Sequence, residues 1–220
     1  MRLLLVSDIH GHSEKAQLLS DVIKNYSTDA LIICGDITHF GNLADASMVL
    51  KEFTKLAITL FVPGNCDPQQ ISSQSIVEGA INLHARCISK LGANFIGIGG
   101  SIPTPFRTPF EIPDDEIGII LDITRRICVE NSHTILISHN PPYGTKTDTA
   151  FSGEHVGSKA IRSFIENTNP KLVACGHIHE SRAIDSLGAS IVVNPGPFHR
   201  GYYAVAEIGE KVSINLEKIT

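Results

Sequence analysis

A chain of 220 residues has room for one α/β domain with a substantial core, and no break in composition indicates a second, so we assign residues 1–220 to one domain. The formal net charge of −5 argues against a broad basic face for nucleic acid, although a small anionic substrate stays compatible with it. No apolar run approaches the length of a membrane span, and the first is too short for a signal-peptide core. We therefore expect a cytoplasmic protein that does not enter a membrane.

Six short apolar runs rich in Leu, Ile and Val each end in a polar cluster. They are residues 3–6, 31–33, 60–62, 135–137, 172–174 and 191–193. Continuous apolar runs of this length are typical of strands buried on both faces of a sheet that helices cover. The sequence therefore predicts a layered α/β fold.

Four helical patterns lie between these runs, at residues 13–26, 43–57, 114–130 and 158–167. In the first pattern apolar side chains recur at helical spacing, and Ser13 is available as an N-cap. Alternation of strand and helix in the first third predicts right-handed βαβ crossovers and parallel pairing.

Two loops and a hairpin complete the chain. Residues 101–113 contain four prolines, too many for a helix or a central strand, and residues 140–157 form a second long loop. We expect the second loop to form a wall or lid over a cleft. Residues 202–208 and 211–216 flank a tight turn and predict a β-hairpin at the edge of a sheet.

The five cysteines form an odd and scattered set, which suits reduced thiols better than a disulfide framework. Cys34 and Cys175 each precede a glycine at a strand end, so we expect them to pack as small buried residues. Cys87 and Cys128 are candidates for the core.

Polar side chains with metal-binding atoms follow five of the six apolar runs. They are Asp8, His10, Asp36, Asn65, His139, His177 and His179. Carboxylate, amide and imidazole donors without thiolate suit borderline divalent ions such as Mn²⁺, Fe²⁺, Co²⁺ or Zn²⁺. Seven donors are too many for one catalytic ion, which usually keeps about three protein ligands, and they suit two ions that share one ligand.

Each of these residues alone has a structural alternative. Asp8 and Asn65 suit turns, His139 suits a hydrogen-bonded loop, and the pair His177 and His179 is compatible with one ion or with two. Their occurrence together at successive strand ends favours the metal site, because such ends meet at one edge of the sheet.

Five blocks resemble the calcineurin-like metallophosphoesterase family in order and approximate spacing, and its compact phosphodiesterase branch most of all. The blocks are Asp8-Ile-His10, Gly35-Asp36, Gly64-Asn65-Cys66-Asp67, His139 and Gly176-His177-Ile-His179. The resemblance implies a four-layer α/β/β/α sandwich of two mixed sheets flanked by helices. It also implies hydrolysis of a small phosphate ester, more readily a diester than a monoester, by a hydroxide that bridges two metal ions.

The same resemblance implies a role for each residue. Asp8, His10 and His179 would bind one ion, Asn65, His139 and His177 would bind the other, and Asp36 would bridge them. Asp36, Asn65, Cys66 and Asp67 would belong to the catalytic centre. Mn²⁺ is the leading candidate for both ions, with Fe, Co, Ni or Zn as alternatives.

The sequence departs from the family at Cys66, where many members carry a histidine that protonates the leaving group. A thiol with an ordinary pKa near 8.5 is a poorer proton shuttle at neutral pH than imidazole. We expect either a substrate with a stable leaving group or recruitment of another acid, His39 or His12. His39 as a solvent-facing residue, His12 as a residue that merely lines the mouth of the site and Cys66 as a redox-sensitive thiol are the alternatives.

Further residues are candidates for substrate binding because they lie on loops near the ligand blocks. They are His12, Arg107, Tyr143, Lys146, His155 and Arg200. The alternative for the long cations is solvation, as is usual for such side chains on loops.

Two other functions stay open at this level. One is a metal-binding scaffold or interaction module without catalysis, and the other is a phosphomonoesterase or nucleotide hydrolase. The expected partner is a small phosphate ester, and homo-oligomerisation is left open.

Overall fold

The computed structural model describes residues 1–129 and 133–219, and in them the chain forms thirteen strands and four α-helices. The strands are β1 (Arg2–Val6), β2 (Ala30–Cys34), β3 (Thr59–Val62), β4 (Ile76–Val77), β5 (Ala80–Asn82), β6 (Arg86–Lys90), β7 (Ala93–Ile98), β8 (His133–Ser138), β9 (Leu172–Ala174), β10 (Ala183–Leu187), β11 (Ser190–Asn194), β12 (Tyr202–Ile208) and β13 (Val212–Lys218). The helices are α1 (Leu19–Tyr26), α2 (Leu43–Thr54), α3 (Asp114–Arg126) and α4 (Lys159–Thr168).

The strands form two mixed sheets. One has seven strands in the order β13-β12-β1-β2-β3-β5-β4, and the other has six in the order β10-β11-β9-β8-β7-β6. The pairs β1–β2 and β2–β3 are parallel, as the alternation of strand and helix predicts, and the C-terminal hairpin lies at the edge of the larger sheet.

Three apolar layers hold the fold together. Alternate residues of β1, such as Leu3 and Leu5, pack between the sheets, whereas Leu4 and Val6 face α1 and α2. The outer face of the smaller sheet packs on α3 and α4. The α/β/β/α sandwich of two mixed sheets is therefore confirmed, and every strand in its centre is covered on both faces.

The four predicted helices exist with shifted bounds. Residues 13–26 divide into a 3-10 segment, Ser13–Leu18, and α1, so the prediction that Ser13 caps one continuous helix is wrong. The second begins at an Asn42 capping box and ends at Thr54 rather than 57. The third ends at Arg126, and residue 130 lies outside the described residues.

The prediction of reduced cysteines is wrong for one pair. Cys87 on β6 and Cys128 after α3 form a disulfide, with Cα atoms 5.5 Å apart and 41 residues between them in sequence. The bond depends on an edge strand meeting the end of a distant helix, which spacing does not reveal. Cys34, Cys66 and Cys175 are free and buried, as expected for Cys34 and Cys175.

Within the part of the chain that the structure describes, the helices are all too short or too polar to cross a bilayer.

Candidate active site

The loops that follow β1 and β2 run side by side and continue the pairing of those strands. The N–H of Asp8 donates to the carbonyl of Gly35 at 3.0 Å, and the N–H of His10 donates to the carbonyl of Asp36 at 2.9 Å. The backbone therefore fixes the two acidic loops against each other before any side chain takes part.

Four of the seven predicted metal-binding residues have a left-handed backbone. Their φ angles are 55° for Asp8, 51° for His10, 49° for Asp36 and 70° for His177. Each such residue other than glycine costs about 1–3 kcal/mol, and strain of this kind collects at functional sites. Glycine is required beside them: a Cβ at Gly64 would overlap the Asp36 carboxylate, and one at Gly176 would overlap Ser7.

Asp8, His10 and His179 form the first group of converging donor atoms. The Nε2 atoms of His10 and His179 are 3.3 Å apart, and Asp8 Oδ1 is 3.3 Å from His179 Nε2. Within residues 1–129 and 133–219, His10 Nδ1 is buried without a hydrogen-bond partner. The three side chains thus point at one another rather than into the core.

Asp36, Asn65 and His139 form the second group, in which the atoms that face one another are acceptors. His139 Nδ1 lies 2.8 Å from the carbonyl of Cys34, so the neutral tautomer that fits this contact carries its hydrogen on Nδ1 and a lone pair on Nε2. That nitrogen is 2.8 Å from Asn65 Oδ1 and 3.4 Å from Asp36 Oδ1. Three acceptors facing one another are mutually repulsive, and a cation among them removes the conflict.

Asp36 lies between the two groups. Its Oδ2 is 3.6 Å from His10 Nε2, while its Oδ1 faces His139. The His177 ring packs edge-on against His139, with centroids 5.0 Å apart, whereas His179 contacts Asp8 and His10. The two histidines of the Gly176 block therefore lie beside different donor groups. The donor set therefore fits two divalent ions that share Asp36.

Burial and neighbouring charges prepare these groups to bind cations. Burial lowers the pKa of His10 to about 4 and that of His177 to about 3, so both imidazoles are neutral at pH 7. Burial works to raise the pKa of Asp8, but its hydrogen bond with His179 and the nearby imidazoles hold it well below its usual range. Burial raises the pKa of Asp36, since its carboxylate is shut away from water.

His179 behaves differently from its neighbours. Burial alone would lower its pKa, but the hydrogen bond to Asp8 and the charges of Asp8 and Asp36 raise it. An excess of negative charge therefore acts on this corner of the protein, and a bound cation would balance it.

Asp67 lies beneath the site and does not line it, contrary to its predicted place in the catalytic centre. It is fully buried, and its oxygens accept from the N–H groups of Ile37, Thr38 and Gly64 at 2.7–3.0 Å and from the Thr38 hydroxyl at 2.9 Å. Burial and the charge of Asp36 raise its pKa to about 6. Asp67 is therefore a positioning residue that holds the Asp36 and Asn65 loops together.

Cys66 touches Asp36 in two ways. Its N–H donates to Asp36 Oδ1 at 2.9 Å, and its thiol forms a hydrogen bond with the same carboxylate. Burial and the charge of Asp36 raise the pKa of the thiol. Cys66 is thus held as a neutral thiol, and its Sγ lies within 4.8 Å of donor atoms of His10 and His39.

His199 is a residue at the site that the sequence did not single out. Its Nδ1 lies 3.0 Å from the carbonyl of Asp8, and its ring centroid is 5.4 Å from those of His10 and His179. It follows the Asn194-Pro-Gly cluster at the end of β11, and that sixth strand end was the signal for it. Burial lowers its pKa.

Two adjoining cavities open at this edge of the sheets. The first, about 550 Å³, is lined by members of both donor groups and by further residues on the surrounding loops. They are His10, His179, Asp36 and Asn65 from the donor groups, together with His12, His39, Phe40, Phe106 and His199. The second, about 880 Å³, shares Asn65, Phe106, His177 and His179 with the first and extends between the loops 101–113 and 140–157. The second predicted loop does form a wall there.

The predicted substrate residues divide between these cavities and the outer surface. His12 lines the first, where its Nδ1 pairs with Glu14 at 3.0 Å, and Tyr143 and His155 line the second. Arg107, Lys146 and Arg200 are exposed and belong to neither lining, so the structure does not bring them to the cleft.

Known proteins resemble this chain along almost its whole length. Residues 1–181 match the calcineurin-like phosphoesterase family. The uncharacterized protein MJ1162 of Methanocaldococcus jannaschii is 38% identical over 204 residues, which cover 90% of this chain and 88% of that protein.

Two solved structures share the fold at lower identity. TT1561 of Thermus thermophilus has a TM-score of 0.77 at 20% identity, with 100% of this chain and 99% of that chain covered. A novel archaeal phosphodiesterase has a TM-score of 0.55 at 14% identity, with 99% and 100% covered. The chain belongs to the calcineurin-like phosphoesterase family, a family of hydrolases with a dinuclear metal centre.

Proposed function

We propose that this protein is a phosphodiesterase that depends on two divalent ions and hydrolyses a small phosphate ester. The observation that carries the proposal is the position of Asp36, whose two oxygens face His10 on one side and His139 on the other. A carboxylate in that position is suited to bridge two ions.

The proposed ligands are Asp8, His10 and His179 for one ion and Asn65, His139 and His177 for the other, with Asp36 shared. When bound, the two ions would supply Lewis-acid chemistry: they polarise the phosphoryl group and generate a nucleophile from water. His199, next to His10 and His179, is an additional candidate at the rim of the first ion.

The chain itself keeps the centre electropositive once it is loaded. Asp8 and Asp36 are the two carboxylates among the proposed ligands, and the remaining five are a neutral amide and four imidazoles. Because Asn65 contributes an amide oxygen where a carboxylate would cancel charge, two divalent ions retain an excess of positive charge that attracts phosphate.

The preference for a diester is supported by the surroundings of the centre. Lys159 is the one lysine or arginine among the described residues that line the two cavities, so a phosphate dianion would meet no arginine fork there. The second cavity gives space for a second ester group beside the metal centre. A similar fold in an archaeal phosphodiesterase agrees with this proposal.

For the proton of the leaving group we propose His39. Its ring lies 5.2 Å from that of His10, and its donor nitrogen is close to Cys66 in the first cavity. Cys66 is a poor donor because its thiol is engaged with Asp36 and its pKa is raised. His12 is less suited, since its Nδ1 is paired with the Glu14 carboxylate.

We propose Mn²⁺ as the native ion, since a donor set of nitrogen and oxygen without a thiolate accommodates it, as it also accommodates Fe²⁺, Co²⁺ and Zn²⁺. Metal analysis of protein purified without added metal tests this, with Fe, Co, Ni and Zn as the competing results.

We propose the cytoplasm as the location, where free thiols such as Cys34, Cys66 and Cys175 persist. The Cys87–Cys128 disulfide weighs against this location, because a reducing compartment keeps most thiols reduced. The proposal therefore requires this bond to be open in the cell, and maleimide labelling of lysates in which thiols were trapped at harvest tests this. Protection of both cysteines from the label would contradict the proposal.

The function is tested by assaying a phosphate diester and the matching monoester in parallel, with chelated protein and after Mn²⁺ is restored. We expect hydrolysis only with metal and faster turnover of the diester. Faster turnover of the monoester would favour a phosphomonoesterase, and metal binding without turnover of any ester would favour a scaffold.

A further inference from the structure

We propose that the second cavity is a subsite for a planar aromatic substituent of the phosphate ester, held by Phe106 and Phe151. The proposal rests on the proposed function and names the class of substrate that the site selects.

The cavity is continuous with the metal centre. Asn65, His177 and His179 form part of the walls of both cavities. A phosphoryl group at the centre would therefore direct one of its substituents into the second cavity, without any rearrangement of the chain.

Two phenylalanines project into this space although they are almost fully exposed. Phe106 is 83% exposed and Phe151 is 88% exposed, and they lie on the two separate loops that form the cavity. Exposed large apolar side chains that line one concave surface are typical of ligand sites, since they gain stability only when something covers them.

Hydrogen bonds hold both phenylalanines in place. The N–H of Phe151 donates to the Glu180 carboxylate at 2.9 Å, directly beside His179. The N–H of Phe106 donates to the Thr104 hydroxyl at 3.2 Å, and that hydroxyl donates to Glu111 at 2.7 Å. The aromatic rings are therefore carried by backbone that is tied to the site, which lowers the entropy cost of binding.

The polar groups of the cavity have partners inside the protein. Asp114 accepts from Ser158 and from the N–H of Ala160, and His155 pairs with Asp148 at 2.7 Å. The Lys159 ammonium lies over the Tyr143 ring, 5.2 Å from its centroid. The surface left for a ligand is mainly apolar, which favours an uncharged aromatic ring over a sugar or a second charged group.

The test compares phenylphosphonate with methylphosphonate as ligands of the Mn²⁺-loaded protein, with Kd measured by calorimetry. Both present a phosphonate head to the metal centre, so the change of their affinity ratio between variants reports the second cavity. We expect phenylphosphonate to bind about tenfold more tightly to the wild type, as expected for burial of a ring against aromatic side chains.

Phe106→Ala and Phe151→Ala should each reduce that ratio to about threefold or less. Phe151 lies outside the first cavity, so Phe151→Ala should leave the Kd of methylphosphonate unchanged. Ile123→Ala, which removes an exposed apolar side chain of α3, is the matched control and should keep the wild-type ratio. Equal affinity of the two phosphonates for the wild type, or an unchanged ratio in both phenylalanine variants, would overturn the subsite alone. Failure of both phosphonates to bind would remove the proposed function and the subsite with it.

Discussion

The two cavities that meet at Asn65 are built in different ways. The first is formed by residues that follow buried strands, its acidic groups are shut away from water, and its backbone is left-handed at Asp8 and Asp36. The second is formed by two long loops, and its most prominent side chains, Phe106 and Phe151, are exposed. The difference indicates that the strand ends position the metal-binding residues, while the loops determine which substrates bind beside them.

Of the substitutions in the two cavities, we expect Asp36→Asn to have the largest effect. Loss of the shared carboxylate should reduce kcat at least about 10³-fold for every ester, since both ions depend on it. The exposed Asp122→Asn is a matched control that should retain wild-type kcat.

Asp36→Asn should reduce kcat strongly but should not reduce the stability of the metal-free protein. Burial raises the pKa of Asp36 in the folded protein, so its protonated form favours the folded state, and this stabilisation is lost as the pH rises through the folded pKa. Without metal, the ionised carboxylate therefore opposes folding. Metal-free Asp36→Asn should therefore unfold at a urea concentration no lower than the wild type at pH 7. A large decrease would show that Asp36 is needed for the fold.

The next effect concerns His39 and depends on the leaving group. We expect His39→Ala to slow esters with a poor leaving group by about 10²-fold and to leave nitrophenyl esters unchanged, because only the former need a proton. His12→Ala is the control at the mouth of the same cavity. Equal rates for wild type and His39→Ala across leaving groups would rule out His39 as the donor.

Asp67→Asn tests whether the strand-end site needs its support. In the variant, the amide nitrogen of the asparagine is a donor and would face backbone N–H groups that now donate to the Asp67 carboxylate. We therefore expect a loss of about 2 kcal/mol in the free energy of unfolding. Urea titration measures it, with Asp21→Asn as an exposed control. If Asp67→Asn matched that control, Asp67 would have no positioning role.

The smallest effect concerns the base of the proline-rich loop. His84 Nδ1 accepts from the N–H of Gly99 at 2.9 Å, the ring packs on Phe110, and burial lowers the pKa of His84 to about 4. Because the pKa of His84 is lower in the folded than in the unfolded protein, the stability that His84 contributes is fully present above about pH 6.5. It is lost as the pH falls from there through about 4.

We therefore expect the wild type to lose about 1–2 kcal/mol more than His84→Gln between pH 7 and pH 5. Urea midpoints at both pH values measure the difference. Identical losses in the two proteins would show that His84 does not couple the loop to pH.

Sequence predicted the first cavity far better than the second. The runs before Asp8, Asp36 and Asn65 are continuous and apolar, so both the buried strands and their polar ends could be found locally. The resemblance carried by those residues then implied the two-sheet sandwich, which the structure confirms.

What sequence missed depends on contacts between distant segments. Strand β7 is fully buried, but Asn94 and Gly97 interrupt its apolar pattern, and the Cys87–Cys128 bond joins positions far apart in sequence. Phe106 and Phe151 lie on loops without periodicity, so only the fold shows that they face one cavity. Arg107 and Lys146 lie on the same loops but do not line the cavity, and this too could be seen only in the fold.

We propose that Asp36 bridges two ions, and anomalous diffraction from Mn²⁺-loaded crystals would locate both of them. We expect two peaks about 3.5–4 Å apart, one beside Asp8, His10 and His179 and the other beside Asn65, His139 and His177. A single peak, or one ion bound by both His177 and His179, would contradict it.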